Sequence, residues 1–303
     1  MKPLYFAYGI LGFATGFVLL LHFLTSLPDG KLYLVFCDVG QGDAIYARLP
    51  DGRDMLVDGG PNEKVIGCLS RHMPFWDRTI DLVFLTHPER DHMQGLNAVI
   101  ARYSVGSFVT APSPVSNELH SQLLTILAKE GVPIRRVTAG SAVEIGDVAI
   151  AVLWPSDAYI TRISSYAVSP GSAVLGATAN LNEGSLVTRM TYGDFSLLLP
   201  GDADTAVESE YLRNTPLATR PVTVLKVPHH GSKTGISESF LKRLQPDLAI
   251  LSVGKNSYGH PSPIVLGLLA DNHIRVLRTD QEGDIQIISD GDSWKVVPSG
   301  MRQ

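Results

Sequence analysis

The chain has 303 residues, of which 45% are hydrophobic and 18% charged, and this composition excludes wholesale disorder and predicts a packed core. The formal net charge is −5, with no block dense in Lys and Arg, which excludes a protein that holds nucleic acid on a broad basic face. An enzyme that meets phosphates through bound cations is still compatible with this charge.

The N-terminal 28 residues differ in composition from the rest of the chain. No formally charged side chain occurs from Leu4 to Leu27, and this stretch is long enough to cross a bilayer as a helix. We therefore predict a membrane anchor or signal sequence over residues 1–28 and one domain over residues 29–303. The favoured interpretation is an uncleaved single-pass transmembrane helix with the domain outside the cytoplasm; cleavage would give a secreted protein. Gly12 and Gly16 form a G-x-x-x-G pair, which would allow a homodimer through this helix.

The chain contains two cysteines, Cys37 and Cys68. Two are too few for a disulfide framework, and their spacing matches no zinc ribbon or redox motif. Because both lie in apolar surroundings, we expect buried free thiols. A single disulfide in an oxidising compartment is the alternative.

The order of predicted elements favours a layered α/β sandwich in one domain. Short apolar runs predict strands at Leu32–Cys37, Ala44–Arg48, Asp54–Val57, Ile80–Leu85, Ile134–Val137, Val143–Leu153, Ser185–Thr191, Phe195–Leu199, Val222–Val227, Leu248–Val253, Ile274–Leu277, Asp284–Ile288 and Trp294–Val297. Helical spacing predicts helices at Glu63–His72, Met93–Arg102, Asn117–Lys129, Asp204–Leu212, Ser237–Leu244 and Pro263–Asp271. The stretch Pro155–Glu183, rich in Ser, Ala and Gly, is predicted to be one long loop of the lid or binding-loop kind.

The strongest chemical signal follows the predicted strand that ends at Leu85. His87, Glu89, Asp91 and His92 fall within six residues there, just before a predicted helix. Strand ends hold side chains rigidly while leaving them open to a cleft. Imidazole together with carboxylate suits divalent ions such as zinc or manganese. An acidic helix cap would explain Asp91 but neither histidine, so we predict a site for one or two divalent metal ions.

Three later strand ends carry further candidates. Asp202 follows Gly201 after a buried strand, although Gly-Asp in such a place is often only a turn. The adjacent His229 and His230 are harder to explain structurally, and His260 lies in a turn after another strand. The other histidines are interpreted as non-catalytic: His22, His72, His120 and His273.

Six motifs follow one another over residues 32–298: Asp38–Ala44, Leu56–Gly60, His87–Gly95, Gly201–Ala203, His229–Ser232 and Tyr258–Pro261. In this order they resemble the metallo-β-lactamase domain at the C-terminus of the ComEC competence family. The resemblance implies an αββα sandwich, a two-metal cleft between its sheets and hydrolysis of phosphodiesters, with DNA as a candidate substrate. The channel region of that family has no counterpart in this sequence, so DNA transport is not carried over.

The sequence departs from the superfamily pattern at two ligand positions. Glu89 stands where the superfamily most often has histidine and where ComEC-type domains usually have aspartate. A ligand histidine between the first motif and Asp202 is also missing, because only His120 lies in that interval, on a predicted amphipathic helix. These departures leave one metal position short of a ligand or suited to a harder ion such as manganese.

The resemblance and the residues imply one mechanism, in which a metal-activated water attacks phosphorus. The expected metal ligands are His87, Glu89, Asp91, His92, Asp202 and His229. The residues expected to take part in catalysis are Asp91, Lys226, His230 and His260, with Lys226, Lys233 or His260 stabilising the developing charge. Asp43 and Asp58 are expected to orient the ligands. The sequence leaves open which of His229, His230 and His260 binds metal and which contacts substrate.

Two other functions are compatible with these motifs. The same fold hydrolyses lactams, thioesters and lactones through the same activated water, and the Pro155–Glu183 loop is expected to discriminate among substrates. A degenerate domain that only binds a partner at a membrane surface is the non-enzymatic alternative, which the missing histidine favours.

Overall fold

The computed structural model describes residues 8, 11–19, 23, 27–113, 117–167, 180–214 and 221–297. Within these residues, two β-sheets pack face to face and helices cover their outer faces. The predicted αββα sandwich is thus confirmed.

The first sheet has eight strands in the order β15-β14-β1-β2-β3-β4-β5-β6. Their bounds are β1 Leu32–Phe36, β2 Ile45–Arg48, β3 Asp54–Val57, β4 Thr79–Leu85, β5 Ser104–Thr110, β6 Ile134–Arg136, β14 Ile285–Ser289 and β15 Trp294–Val297. Strands from β15 to β3 pair antiparallel, whereas β3 to β6 pair parallel. The segment His87–His92, which we call the metal loop, therefore follows a central strand, β4.

The second sheet has seven strands in the order β13-β12-β11-β10-β9-β8-β7. Their bounds are β7 Ala142–Ile145, β8 Val148–Trp154, β9 Val187–Tyr192, β10 Phe195–Leu199, β11 Val224–Lys226, β12 Leu248–Leu251 and β13 Arg275–Arg278. Strands β10 to β13 run parallel. The carboxyl ends of parallel strands lie at one edge of a sheet, and this edge brings the segments after β10, β11 and β12 together.

From residue 27 onward nine α-helices are described: α1 Lys64–His72, α2 Arg90–Met93, α3 Leu96–Ile100, α4 Glu118–Lys129, α5 Asp157–Ala167, α6 Thr205–Asn214, α7 Glu238–Leu244, α8 Pro263–Asp271 and α9 Thr279–Glu282. A 3₁₀ turn covers Leu181–Gly184, and Pro228–Gly231 form a tight turn in which His229 and His230 have positive φ. Asn117, Ser237 and Ser262 begin three of the helices, each accepting a backbone N–H of the first turn, as N-cap residues do.

The side chains of β1 alternate between two hydrophobic cores, one between the sheets and one under the outer helices. Leu34 and Phe36 point between the sheets, whereas Val35 and the following Cys37 point toward the helices of the outer layer. Side chains alternate between the two faces of a strand, so a strand covered on both faces becomes a nearly continuous apolar run. This explains why the central strands could be located from hydrophobicity alone.

The predicted long loop over Pro155–Glu183 is wrong at both ends. Helix α5 fills its first part, and a 3₁₀ turn begins at Leu181, while residues 168–179 lie outside the described part of the chain. Trp154 contacts both the helix and the 3₁₀ turn. Its ring packs on Tyr159 with centroids 4.6 Å apart, and its Nε1–H donates to the Glu183 carbonyl at 2.6 Å. The Ser- and Ala-rich composition concealed this aromatic anchor.

Three further elements differ from the prediction. The strand predicted over Val143–Leu153 is a hairpin, β7 and β8, which turns at Gly146 with φ +57°. Strand β5 and the short helix α9 were not predicted, since the first four residues of β5 include two Ser and one Gly, and α9 has only one turn.

The N-terminal prediction falls largely outside the described residues. Residues 11–19 are helical, and among the described residues no helix is both long and apolar enough to cross a membrane. The anchor over residues 1–28 and the contact through Gly12 and Gly16 stay predictions.

Cys37 and Cys68 form a disulfide, so the expectation of free thiols is wrong. Cys37 follows β1 and Cys68 lies on α1, and the two Cα atoms are 5.8 Å apart inside the outer-layer core. The sequence could not show this pairing, because a tertiary contact between helix and strand brings together residues that are 31 positions apart.

Replacing both cysteines with alanine is expected to lower the free energy of unfolding by about 3 kcal/mol, since the cross-link restricts the unfolded chain. Urea denaturation of the two proteins measures this difference. When the denaturation is repeated with reductant, the free energy of unfolding should fall for the unmodified protein only, because the alanine variant has no disulfide to reduce. Equal urea midpoints for the two oxidised proteins would show that the bond contributes nothing.

Candidate metal centre

Close backbone contacts hold the metal loop in place at the end of β4. Asp43 N–H donates to the Asp91 carbonyl at 3.2 Å, and a Cβ on Gly42 would lie 2.2 Å from that same carbonyl oxygen. At Gly201, φ is +57° and a Cβ would lie 2.9 Å from Thr86 Cβ. Only glycine allows these approaches, which explains the glycines of two sequence motifs.

Four predicted residues converge on one point: Asp91, His92, Asp202 and His230. Each offers one atom, and these atoms all lie within 4.8 Å of one another. Asp202 lies between the imidazoles, with Oδ1 3.3 Å from His92 Nε2 and Oδ2 3.4 Å from His230 Nε2. Asp91 Oδ2 closes the group at 3.4 Å from His230 Nε2. We call these four residues the ligand set.

Hydrogen bonds at Nδ1 fix the orientation of both imidazoles of the ligand set. His92 Nδ1–H donates to Asp58 Oδ2 at 2.8 Å, and His230 Nδ1–H donates to the Ser252 carbonyl at 2.9 Å. Asp58 is itself fixed by the Thr86 backbone N–H and hydroxyl, at 2.8 and 2.7 Å. A proton on Nδ1 leaves the lone pair of Nε2 free for a metal ion.

The residues present fit a divalent metal ion. Among the described residues, the buried Nε2 atoms of His87, His92 and His230 have no hydrogen-bond partner. Buried polar atoms are rarely left without a partner unless a ligand serves them. Nitrogen and carboxylate oxygen together suit zinc or manganese.

The field of the buried carboxylates favours positive charge at this point. Burial alone would lower the pKa of His230, but the Asp202 and Asp43 carboxylates raise it to about 9. Burial would likewise raise the pKa of Asp202, yet His230, His92 and Lys226 hold it well below its usual range. A divalent cation would meet the same field and would displace the imidazole protons.

His87 and Glu89 lie beside the ligand set rather than in it. The His87 ring is buried and 4.1 Å from the His92 ring between centroids, with Nδ1 3.1 Å from the Thr86 hydroxyl. Glu89 is partly buried, and burial together with Asp91 and Asp202 raises its pKa. The metal-binding role predicted for these two residues stays a prediction.

His229 lies outside the ligand set, although the sequence predicted a metal ligand there. His229 Nε2 is 3.9 Å from Asp202 Oδ2 and 3.4 Å from the Asn182 side-chain nitrogen. The His260 ring lies 5.6 Å away between centroids, on the side toward solvent. The structure thus places His230 inward and leaves His229 and His260 together at the edge.

Lys226 does not reach the cleft, so the substrate contact predicted for it is not supported. Its side chain is buried, and Nζ lies 2.5 Å from Asp43 Oδ2, 2.9 Å from the Gly201 carbonyl and 3.4 Å from Asp202 Oδ1. An ammonium group has three protons, and these three acceptors use them all. The two carboxylates raise the pKa of Lys226 against the opposing effect of burial. Lys226 therefore stabilises the Asp202 carboxylate from the buried side, away from the cleft.

Three residues of this region were not predicted from the sequence: Thr86, Asn182 and Ser185. Thr86 braces Asp58, Asn182 contacts His229, and the Ser185 hydroxyl accepts the Asp202 backbone N–H at 3.2 Å. Their side chains carry no unusual chemistry, so only the tertiary structure reveals them. Among the other histidines, His72 pairs with Asp284 and His120 is buried on α4, while His22 lies outside the described residues.

Comparison with curated proteins points to the competence proteins. The chain is 33% identical over 282 residues to "ComE operon protein 3" of Bacillus subtilis (strain 168), a match that covers 85% of this chain and 33% of that protein. It is 27% identical to "Competence protein ComA" of Neisseria gonorrhoeae, over 86% of this chain and 33% of that protein. The chain thus spans about a third of the length of these relatives.

Comparison with solved structures gives the same fold. The metallo-β-lactamase fold protein YhfI from Bacillus subtilis superposes with a TM-score of 0.54 at 12% identity, over 84% of this chain and 99% of that one. The diiron β-hydroxylase CmlA from Streptomyces venezuelae gives 0.51 at 14% identity, over 88% and 54%. Residues 37–255 match the model of the metallo-β-lactamase superfamily. This match covers well over half of the sequence, and the chain therefore belongs to the metallo-β-lactamase superfamily.

Proposed function

We propose that the protein is a metal-dependent phosphodiesterase, a nuclease acting on DNA or another phosphodiester. The observation that carries the proposal is the ligand set, whose buried imidazole nitrogens face an acidic centre without partners, with two more histidines at its edge. Divalent ions bound there supply a Lewis acid and an activated water nucleophile at neutral pH.

The residues divide into those that hold metal and those that meet the substrate. The ligand set would hold one ion, and His87 and Glu89 would help to hold a second. Asp58 keeps His92 in the orientation that frees Nε2. Burial lowers the pKa of His229 and of His260, so both are neutral imidazoles that can donate a ring N–H to a substrate oxygen. A neutral donor at this edge suits an anionic diester.

The names of the relatives support a nucleic-acid substrate. One of them is called "Competence protein ComA", and another, from Haemophilus influenzae, is called "Recombination protein 2". These names describe proteins about three times as long as this chain, so the activity comes to this chain only as part of the proposal.

A lactone, thioester or lactam hydrolase is the second candidate. A small pocket beside His87 favours it, because its walls are largely apolar and would suit a hydrocarbon group: Pro88, Ala111, Tyr159, Ile163 and Leu181. In that case the same water would attack a carbonyl carbon instead of phosphorus.

The Cys37–Cys68 disulfide supports a location outside the cytoplasm. Stable structural disulfides form in oxidising compartments and are rare in the cytosol. We propose that residues 1–28 anchor the chain in a membrane, with the domain on the outer side. Protease treatment of intact cells tests this, since an extracytoplasmic domain is digested without lysis.

A substrate panel tests the proposed function on the full chain. Single-stranded DNA, bis-p-nitrophenyl phosphate, a thioester and a cephalosporin are offered with manganese or zinc, after elemental analysis of the purified protein. We expect one or two metal ions per chain and cleavage of both phosphodiesters. Chelation should abolish the cleavage, and added metal should restore it. Turnover of the thioester or the cephalosporin alone would favour the second candidate, and a protein without metal would favour a non-catalytic domain.

A further inference from the structure

Tyr258 presents an uncovered aromatic ring near the metal centre. Its side chain is 75% exposed, the highest value among the large hydrophobic residues described from residue 27 onward. The Tyr258 ring lies outside the hydrophobic core, so core packing does not explain its presence there. Single exposed apolar side chains are common on protein surfaces, but Tyr258 also lies on a fixed turn and beside the His260 ring.

The turn that carries Tyr258 is fixed by one side chain. Asn256 Oδ1 accepts the backbone N–H groups of Tyr258 at 3.0 Å and His260 at 3.1 Å. Asn256 Nδ2 donates to the carbonyls of Gly254 at 2.9 Å and His260 at 2.8 Å. The backbone under the ring is therefore ordered before any ligand arrives, which lowers the entropy lost on binding.

A continuous line of rings leads from Tyr258 to the metal centre. The Tyr258 and His260 rings are 5.7 Å apart between centroids and inclined by 33°. The His260 and His229 rings are 5.6 Å apart, and His229 Nε2 is 3.9 Å from Asp202 Oδ2. A ligand held at the ligand set by one group can thus extend past both histidines to the aromatic ring.

We propose that Tyr258 is a stacking platform for a nucleobase of a single-stranded substrate whose phosphate lies against His229 and His260. This inference rests on the proposed phosphodiesterase function and adds the substrate class. Stacking on an aromatic ring tolerates any base sequence, and its contribution comes from the base and not from the backbone charge, which a chain of net charge −5 attracts weakly. In a duplex the bases are already stacked and paired, so the platform favours single strands.

The test compares two chains that differ only in their bases. Oligothymidylate and an abasic deoxyribose-phosphate chain of equal length are titrated by fluorescence anisotropy against metal-free protein, so that no cleavage occurs. We expect Tyr258→Ala to raise the Kd for oligothymidylate about tenfold and to leave that for the abasic chain unchanged. Tyr258→Phe, which keeps the ring, should bind as the unmodified protein does. Ile264→Ala, a nearby apolar side chain that is 61% exposed, is the matched control and should change neither Kd.

Two results with Tyr258→Ala overturn the platform. One is an unchanged Kd for oligothymidylate in Tyr258→Ala, and the other is an equal loss for both chains, which would make the residue a support of the His260 turn. A duplex that binds as tightly as the single strand also contradicts it. Cleavage assays with metal restored separate this result from the proposed function. A base-dependent Kd without hydrolysis refutes the phosphodiesterase and keeps the platform, whereas hydrolysis with equal Kd values does the reverse.

Discussion

Asp202→Asn is expected to lower the catalytic efficiency on a phosphodiester by about a thousandfold or more and to remove metal from the protein. Its two carboxylate oxygens lie 3.3 Å from His92 Nε2 and 3.4 Å from His230 Nε2. Asparagine keeps the shape but has no negative charge, so the site loses the group that lies between its ligands. Without the activated water and the charge stabilisation, the transition state would lose several kcal/mol of stabilisation.

Elemental analysis and initial rates on the same preparation measure this effect. Asp204→Asn is the matched control, because Asp204 is two residues away, and its Oδ1 only accepts the Ala206 backbone N–H at 3.0 Å. The control should keep both metal and activity. Full metal content and full activity in Asp202→Asn would show that the ligand set is not the metal site. Near-ultraviolet circular dichroism checks that both variants remain folded.

The metal loop could be predicted from sequence because its ligands are local. His87 and His92 stand within six residues, and a strand end followed by a short helix fixes their relative positions. The role of Asp202 could be predicted only from the order of the motifs, since Gly-Asp after a strand has ordinary structural explanations. The roles of His229 and His230 could not be separated, because the two are adjacent and both have positive φ, 50° and 52°. Only the packing under β12 turns His230 inward, to the Ser252 carbonyl.

Tertiary contacts account for the remaining differences. The Cys37–Cys68 bond and the Asn182 contact with His229 join distant positions, so no local pattern indicates them. Helix α5 was concealed by composition, yet Trp154 and Tyr159 anchor it through packing that composition does not express. Apolar strands and capped helices were located well, because burial and capping act over a few residues.

Lys226→Met is expected to lower the free energy of unfolding by about 3–5 kcal/mol, measured by urea denaturation of the metal-free protein. Lys226 is wholly buried, and its ammonium group contacts the buried carboxylates of Asp43 and Asp202. Methionine fills a similar volume but leaves two negative charges without their shared cation. Removing one partner of a buried ion pair costs more than the pair itself contributes, because the remaining charge stays desolvated.

Adding Asp43→Asn to Lys226→Met should recover part of the lost stability, since only one uncompensated carboxylate then remains. The four proteins of this double-mutant cycle should therefore show a coupling energy well above that of independent sites. The same cycle separates the two roles considered for Lys226. A substrate-contacting lysine would raise KM when replaced and leave the stability unchanged, with no coupling to Asp43. A lysine that supports Asp202 from behind would lower stability and metal affinity while the KM of fully metal-loaded protein stays the same.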